Sequence, residues 1–289
     1  MRNTTILFVF ACLLLLSTGA FARDTNLFIF LCFGQSNMEG TGSQIEEQDK
    51  TVDSRFQVLA AFDSQKLGRQ KGNWFPATPP LCRDNTRLCP VDYFGRTMVA
   101  NLSTNIRVGV VCVAIGGCKI ELFEKDAYQD YVAKAPRWMT NIIRQYDGNP
   151  YGYLVDLAKR AQEDGVIKGI LLHQGESNTN DKQWPVKVKG VYDNLIKDLN
   201  LDSKSVPLLA GEVVNADQKG TCASMNSIIA TLPQTLTNSY VIPSNGCTCQ
   251  KDHLHFDSAG YRELGKRYAE KMLALMGYEL PKPVQSEAH

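Results

Sequence analysis

The chain is predicted to be an α/β protein: three α/β/α layers around a central parallel sheet of about five strands. Short β-rich apolar runs alternate with amphipathic stretches, the pattern of strands covered by helices on both faces. The runs are almost continuously Val, Ile, Leu and Phe, as strands buried on both sides require. No Gly/Ser-rich linker, internal repeat or low-complexity segment interrupts them, which predicts a single domain over residues 23–289.

Residues 1–22 stand apart from the fold. Arg2 gives a basic start, an apolar run follows from Ile6 to Leu16, and Ala20-Phe21-Ala22 is a small-x-small cleavage pattern, so this segment reads as a secretory signal peptide. The run is shorter than the roughly 20 residues of a membrane-spanning helix, and the polar Arg23-Asp24-Thr25-Asn26 that follows favours removal over anchoring. Loss of Arg2 takes the formal charge from +1 to 0. A chain this neutral, with 44% hydrophobic and 21% charged residues, is neither disordered nor fibrous. It also generates no global field for nucleic acid or, once the signal is removed, for a membrane.

Strands are expected at 27–33, 108–115, 169–173, 206–211 and 239–242. Helices are expected at 93–102, at 150–163 before Gly165, at 185–199 with Pro185 in the first turn, and from Ser258, read as an N-cap, to about 275. Two stretches, 41–87 and 121–137, fit no regular element, and each follows the C-terminal end of a strand, where open α/β sheets bind ligands. Trp74, Phe75, Phe123, Tyr128 and Tyr131 are candidates for the walls of a cleft there, or for packing the loops down.

With export, the eight cysteines after residue 22 enter an oxidising compartment. Cys32 and Cys112 lie in apolar runs and read as small buried hydrophobes. Cys82 with Cys89, and Cys222 with Cys247 or Cys249, are candidate disulfides whose pairing spacing cannot decide.

Histidine is scarce, with four in the chain, and two sit in Asp252-His253-Leu254-His255-Phe256-Asp257 before the last helix. An Asp three residues ahead of a His can fold back onto one ring nitrogen and leave the other facing outward, which suits Asp252 with His255. The same segment could instead cap the helix, or, with His173 and Glu176, hold a metal for assisted hydrolysis. Two serines follow strands in Gly-x-Ser-Asn turns, Ser36 and Ser177, where the turn amides can face an oxyanion. Neither turn is the G-x-S-x-G elbow, since Met38 and Thr179 replace its second glycine.

Taken together, Gly34-Gln35-Ser36-Asn37-Met38, Ala114-Ile115-Gly116-Gly117, His173-Gln174-Gly175-Glu176-Ser177-Asn178 and Asp252-x-x-His255-Phe256 resemble the ordered blocks of the SGNH-hydrolase superfamily. More narrowly they resemble its sialate O-acetylesterase-like and acetylxylan esterase branch, carbohydrate esterase family six. The resemblance spans nearly all of the chain after residue 22 and implies a flavodoxin-like SGNH-hydrolase fold. It implies Ser36 as nucleophile, His255 as base and Asp252 as its orienting partner. For the oxyanion hole it implies the backbone N–H of Ser36, that of Gly117 or its neighbour Gly116, and the side-chain amide of Gln174. Gln35, Asn37, Glu39 and Glu176 are expected to bind substrate or brace these groups, and Ser177 to brace the third block. No metal or cofactor is expected.

The expected function is a secreted or periplasmic serine esterase that removes O-acetyl groups from carbohydrate, acetylated xylan first. O-acetylated sialic acid is the alternative, and its carboxylate would call on a cation such as Arg55, Arg69, Arg83 or Arg87. A reading from another class is a non-catalytic carbohydrate-binding protein on a hydrolase scaffold. Composition leaves the oligomeric state open.

Overall fold

The computed structural model describes residues 23–278, so the proposed signal peptide lies outside the described residues. Its strands are β1 (Leu27–Gly34), β2 (Phe56–Leu59), β3 (Trp74–Pro76), β4 (Arg107–Ala114), β5 (Val166–His173), β6 (Leu208–Gly211) and β7 (Ser239–Ile242). They form one sheet in the order β3-β2-β4-β1-β5-β6-β7, parallel throughout except for the antiparallel β2–β3 pair. The five expected strands are all present. The two additional ones fall in stretch 41–87, which had been expected to lack regular structure. They are only four and three residues long, and their ladder partners are distant: Phe56, Gln57 and Val58 pair with Val108, Gly109 and Val110.

Helices α1 (Ser36–Glu39) and α2 (Glu47–Lys50) are single turns, and α3 (Pro90–Asn101) is longer. Next come α4 (Tyr128–Lys134), α5 (Arg137–Ile143), α6 (Pro150–Asp164), α7 (Trp184–Asp198), α8 (Met225–Ile229), α9 (Leu232–Thr235) and α10 (Ser258–Leu275). Stretch 121–137 is thus partly helical, a second correction. Asp257, rather than Ser258, caps α10, its Oδ1 accepting the Gly260 N–H at 2.8 Å. Ser258 Oγ instead exchanges hydrogen bonds with the Gln44 backbone at 2.8 and 2.9 Å. Among the described residues no helix is long and apolar enough to cross a membrane.

The period-2 geometry of β1 divides the core. Leu27, Ile29, Leu31 and Phe33 join the layer built with α6 and α7, whereas Phe30 and Cys32 join the layer built with α3 and α10. This makes the three-layer α/β/α fold of SGNH-hydrolase type. All eight described cysteines stand unpaired, the candidate disulfide partners among them. Cys82 Sγ contacts Ala114 O and Tyr146 Oη, and Cys222 and Cys249 Sγ lie 3.7 Å from the carbonyls of Glu176 and Gln218.

Sheet register gathers the sequence blocks. Gly34 pairs with Ala114 on one side and His173 on the other, so the three segments leaving β1, β4 and β5 emerge side by side at the carboxyl edge. The approach at Gly34 is close: at φ +154° a Cβ there would stand 2.0 Å from His173 O. A glycine is therefore required where β1 turns into the Ser36 helix.

Candidate active site

Ser36 is the first residue of α1, directly after the β1 turn, and His255 approaches it from the loop preceding α10. The loop closes tightly around His253, which is in the left-handed region at φ +53°. Asp252 thereby folds back, with Oδ1 accepting the N–H groups of Leu254 and His255 at 2.9 and 3.1 Å. Asp252 Oδ2 lies 2.7 Å from His255 Nδ1, and His255 Nε2 lies 3.0 Å from Ser36 Oγ. With Nδ1–H donated to the carboxylate, Nε2 is free to accept the Ser36 hydroxyl proton. Burial works to raise the Asp252 pKa, but the bonds from the His255 ring and the two N–H groups outweigh it and hold the carboxyl below its ordinary range.

Asn37, fully buried, ties this loop to the third block. Its Nδ2 donates to Glu176 Oε1 and, at 3.0 Å, to Leu254 O. Its Oδ1 accepts the Phe256 N–H at 3.1 Å and the Tyr261 hydroxyl at 2.7 Å. Glu176 Oε1 also stands 3.7 Å from His173 Nε2. Burial pushes the His173 pKa down to about 3 and the Glu176 pKa up, so we read this approach as neutral imidazole against carboxyl rather than an ion pair.

These groups open onto a cavity of about 870 Å³ whose lining includes Gln35, Ser36, Glu39, Gly116, Gly117 and His255. The backbone N–H groups of Ser36, Gly116 and Gly117 all lack an acceptor among the described residues. Gln174 departs from its expected place. It is fully buried behind the cavity wall, with Nε2 spent on Gln35 Oε1 (3.1 Å), Cys118 O (3.3 Å) and Asn178 Oδ1 (2.7 Å), and Oε1 accepting the Trp184 indole N–H. Gln35 stands between it and the cavity. Gln35 Oε1 also accepts the Ser177 N–H at 3.2 Å, and its Nε2 has no acceptor among the described residues. Ser177, the rival serine, donates its hydroxyl to Gly117 O at 2.9 Å.

Glu39 forms a buried ion pair with Arg83 instead of standing free for substrate hydroxyls. Of the four candidate arginines, Arg83 and Arg87 line the cavity. Arg55 is held by Asp53 and Val99 O, and Arg69 by Pro80 O and Thr78 O. None of the five aromatics considered for cleft wall or loop packing lines the cavity: Phe123, for example, is buried edge-on against Phe33, and the Trp74 indole binds Asp164 at 2.8 Å. The aromatic that does face the cavity is Trp138, one residue beyond stretch 121–137, with Ile142 one turn on. The six residues considered as metal ligands do not converge. His253 Nδ1 faces Gln218 O at 2.9 Å, Asp257 caps α10, and His173 is sealed in the core. No group of three or more His, Cys, Asp or Glu side chains is placed to hold a metal among the described residues.

Comparison with known proteins agrees with this architecture. Residues 26–274 match the family model described as carbohydrate esterase, sialic acid-specific acetylesterase. A probable carbohydrate esterase of Arabidopsis thaliana, At4g34215, is 24% identical over 259 residues, covering 85% of this chain and 90% of that protein. Its crystal structure superposes with a TM-score of 0.65 at 21% identity, covering 86% and 98% of the two chains. The structure of NanS gives 0.64 at 16% identity, with 88% and 98% covered. That of XAC1771, a carbohydrate acetylesterase from Xanthomonas citri, gives 0.60 at 17%, with 87% and 57% covered. The chain belongs to the sialic acid-specific acetylesterase family of carbohydrate esterases.

Proposed function

We propose that the chain removes O-acetyl groups from carbohydrate through a Ser36–His255–Asp252 relay and an acyl-enzyme. The observation that carries this reading is the pair of contacts, 3.0 Å and 2.7 Å, that link Ser36 Oγ through the His255 ring to Asp252 at the edge of the cavity. Ser36 Oγ attacks the acetyl carbonyl carbon as His255 Nε2 takes its proton. The tetrahedral oxyanion is met by the N–H groups of Ser36 and Gly117 and by the Gln35 side-chain amide, which Gln174 holds in place from behind. Collapse breaks the bond to the sugar oxygen, which leaves with the proton from His255. Water then attacks the acetyl-serine, giving its proton to the same nitrogen, and acetate departs with Ser36 restored. Each aimed donor is worth about 3 kcal/mol in such a site.

A neutral acetylated polymer such as xylan is the first substrate class, because Glu39 offsets the charge of Arg83 in the cavity. An extracellular or periplasmic setting, through the segment 1–22, fits a polymer that cannot enter a cell. O-acetylated sialic acid is the second reading, favoured by Arg87 on the cavity wall and by the family description. We expect a fluorophosphonate probe to label the wild type and not Ser36→Ala; folded wild type that takes no label sinks the mechanism. Acetate release measured in parallel on acetylated xylan and on O-acetylated sialic acid separates the substrates. Release from the sialic acid alone overturns the neutral-polymer reading.

A further inference from the structure

We infer that Trp138 is the platform on which the acetyl-bearing pyranose ring stacks, forming a sugar subsite beside the oxyanion donors. This rests on the carbohydrate esterase reading above and deepens it. Trp138 is 54% exposed and is among the residues that line the catalytic cavity. The other two tryptophans of the chain are spent on structure: Trp184 is fully buried with its indole N–H on Gln174, and that of Trp74 is bonded to Asp164.

Two consecutive glycines separate the indole from the nucleophile. A Cβ on Gly116 would lie 3.7 Å from Ser36 Cβ, and one on Gly117 would lie 2.8 Å from Trp138 Cη2. Gly117 also has φ +71°, and its carbonyl is pinned by the Ser177 hydroxyl at 2.9 Å. The indole edge therefore rests on Gly117, one of the two glycines of the cavity wall, and a side chain there would push it away. A ring lying on the indole keeps its apolar C–H face on carbon, and Asn85, Thr86 and Arg87, which line the same cavity, supply polar groups for its hydroxyls. An aromatic floor with polar groups around the edge is the chemistry that holds a sugar. An acyl chain would use the indole and Ile142 and make no use of the polar lining.

The test has a binding arm and a kinetic arm. Ser36→Ala protein titrated with xylo-oligosaccharide should change its tryptophan emission, and the change should be absent in Ser36→Ala/Trp138→Phe; a change that persists in the double variant overturns the subsite. In otherwise wild-type protein, Trp138→Ala should raise KM on acetylated xylo-oligosaccharide about tenfold with a smaller effect on kcat, and Trp138→Phe should restore most of the loss. An unchanged KM, or a gain on butyrate over acetate esters of 4-nitrophenol, assigns the indole to the acyl group and overturns the proposal. Failure of the parent reading has a different signature: wild type that cleaves 4-nitrophenyl acetate but releases no acetate from any glycan.

Discussion

Gln174 lies buried behind Gln35, and it is Gln35 that lines the cavity, which is why the proposed oxyanion donor is Gln35. Every polar atom of the Gln174 amide is engaged inside the protein, so its loss would strand the Trp184 indole N–H and free acceptors on Gln35 and Asn178. Leaving buried polar groups without partners costs about 1–3 kcal/mol each. Gln174→Ala should therefore lower unfolding free energy by about 3 kcal/mol in urea titration, and lower kcat as Gln35 loosens. A variant with unchanged stability and a kcat down about a hundredfold would return Gln174 to the oxyanion itself. Asp252 and His255 contrast with this pair. Their contact is local in the chain, three residues apart, and so it was legible from spacing, whereas the Gln174–Gln35 contact spans 139 positions.

Among the elements, β2 and α3 show how closely the layers are fitted. Gly95, in α3, faces the fully buried Phe56 of β2, and a Cβ there would stand 1.9 Å from the ring. Alanine at this position gains helix propensity of up to about 1 kcal/mol, yet overpacking a closed core costs about 1–3 kcal/mol. The clash with an immovable ring should win, and Gly95→Ala should lower the urea midpoint; restoration by a second change, Phe56→Leu, would confirm the cause. The long helices and strands β1, β4 and β5, of eight residues each, were legible because each carries its own period. The start of α3 was missed by three residues, although Pro90 and the Cys89–Asp92 reciprocal cap mark it. Strands β2 and β3 left little trace, since their stability comes from the partner strand and not from their few residues.

At the level of the whole molecule, the buried pair His173 and Glu176 couples stability to pH. Burial holds His173 near 3 in the folded chain, against about 6.5 when unfolded. From pH 6.5 down toward 3 the unfolded chain takes up a proton that the folded chain refuses, so stability falls as pH falls, by about 1.4 kcal/mol per pH unit. Glu176, whose pKa is raised, acts with the opposite sign: its contribution is present at low pH and lost as pH rises through the folded value. Because Glu176 is common to wild type and His173→Gln, the difference between their unfolding free energies isolates the histidine. Wild type should lose about 1.4 kcal/mol per pH unit relative to the variant between pH 6 and 4; parallel curves would mean that His173 is protonated in the fold.

Sequence by itself determined the α/β class, five of the seven strands, the ordered blocks and the local Asp252–His255 turn, because apolar period, turn chemistry and short spacing are written within a few residues. Tertiary structure alone decided that the three strand ends converge at Gly34, that Gln174 lies behind Gln35, that Arg83 is met by Glu39, and that Trp138 lines the cavity while the five candidate aromatics do not. Those outcomes depend on which distant surfaces meet. Side chains of one type are buried or exposed according to partners a hundred residues away, and no local pattern encodes that choice.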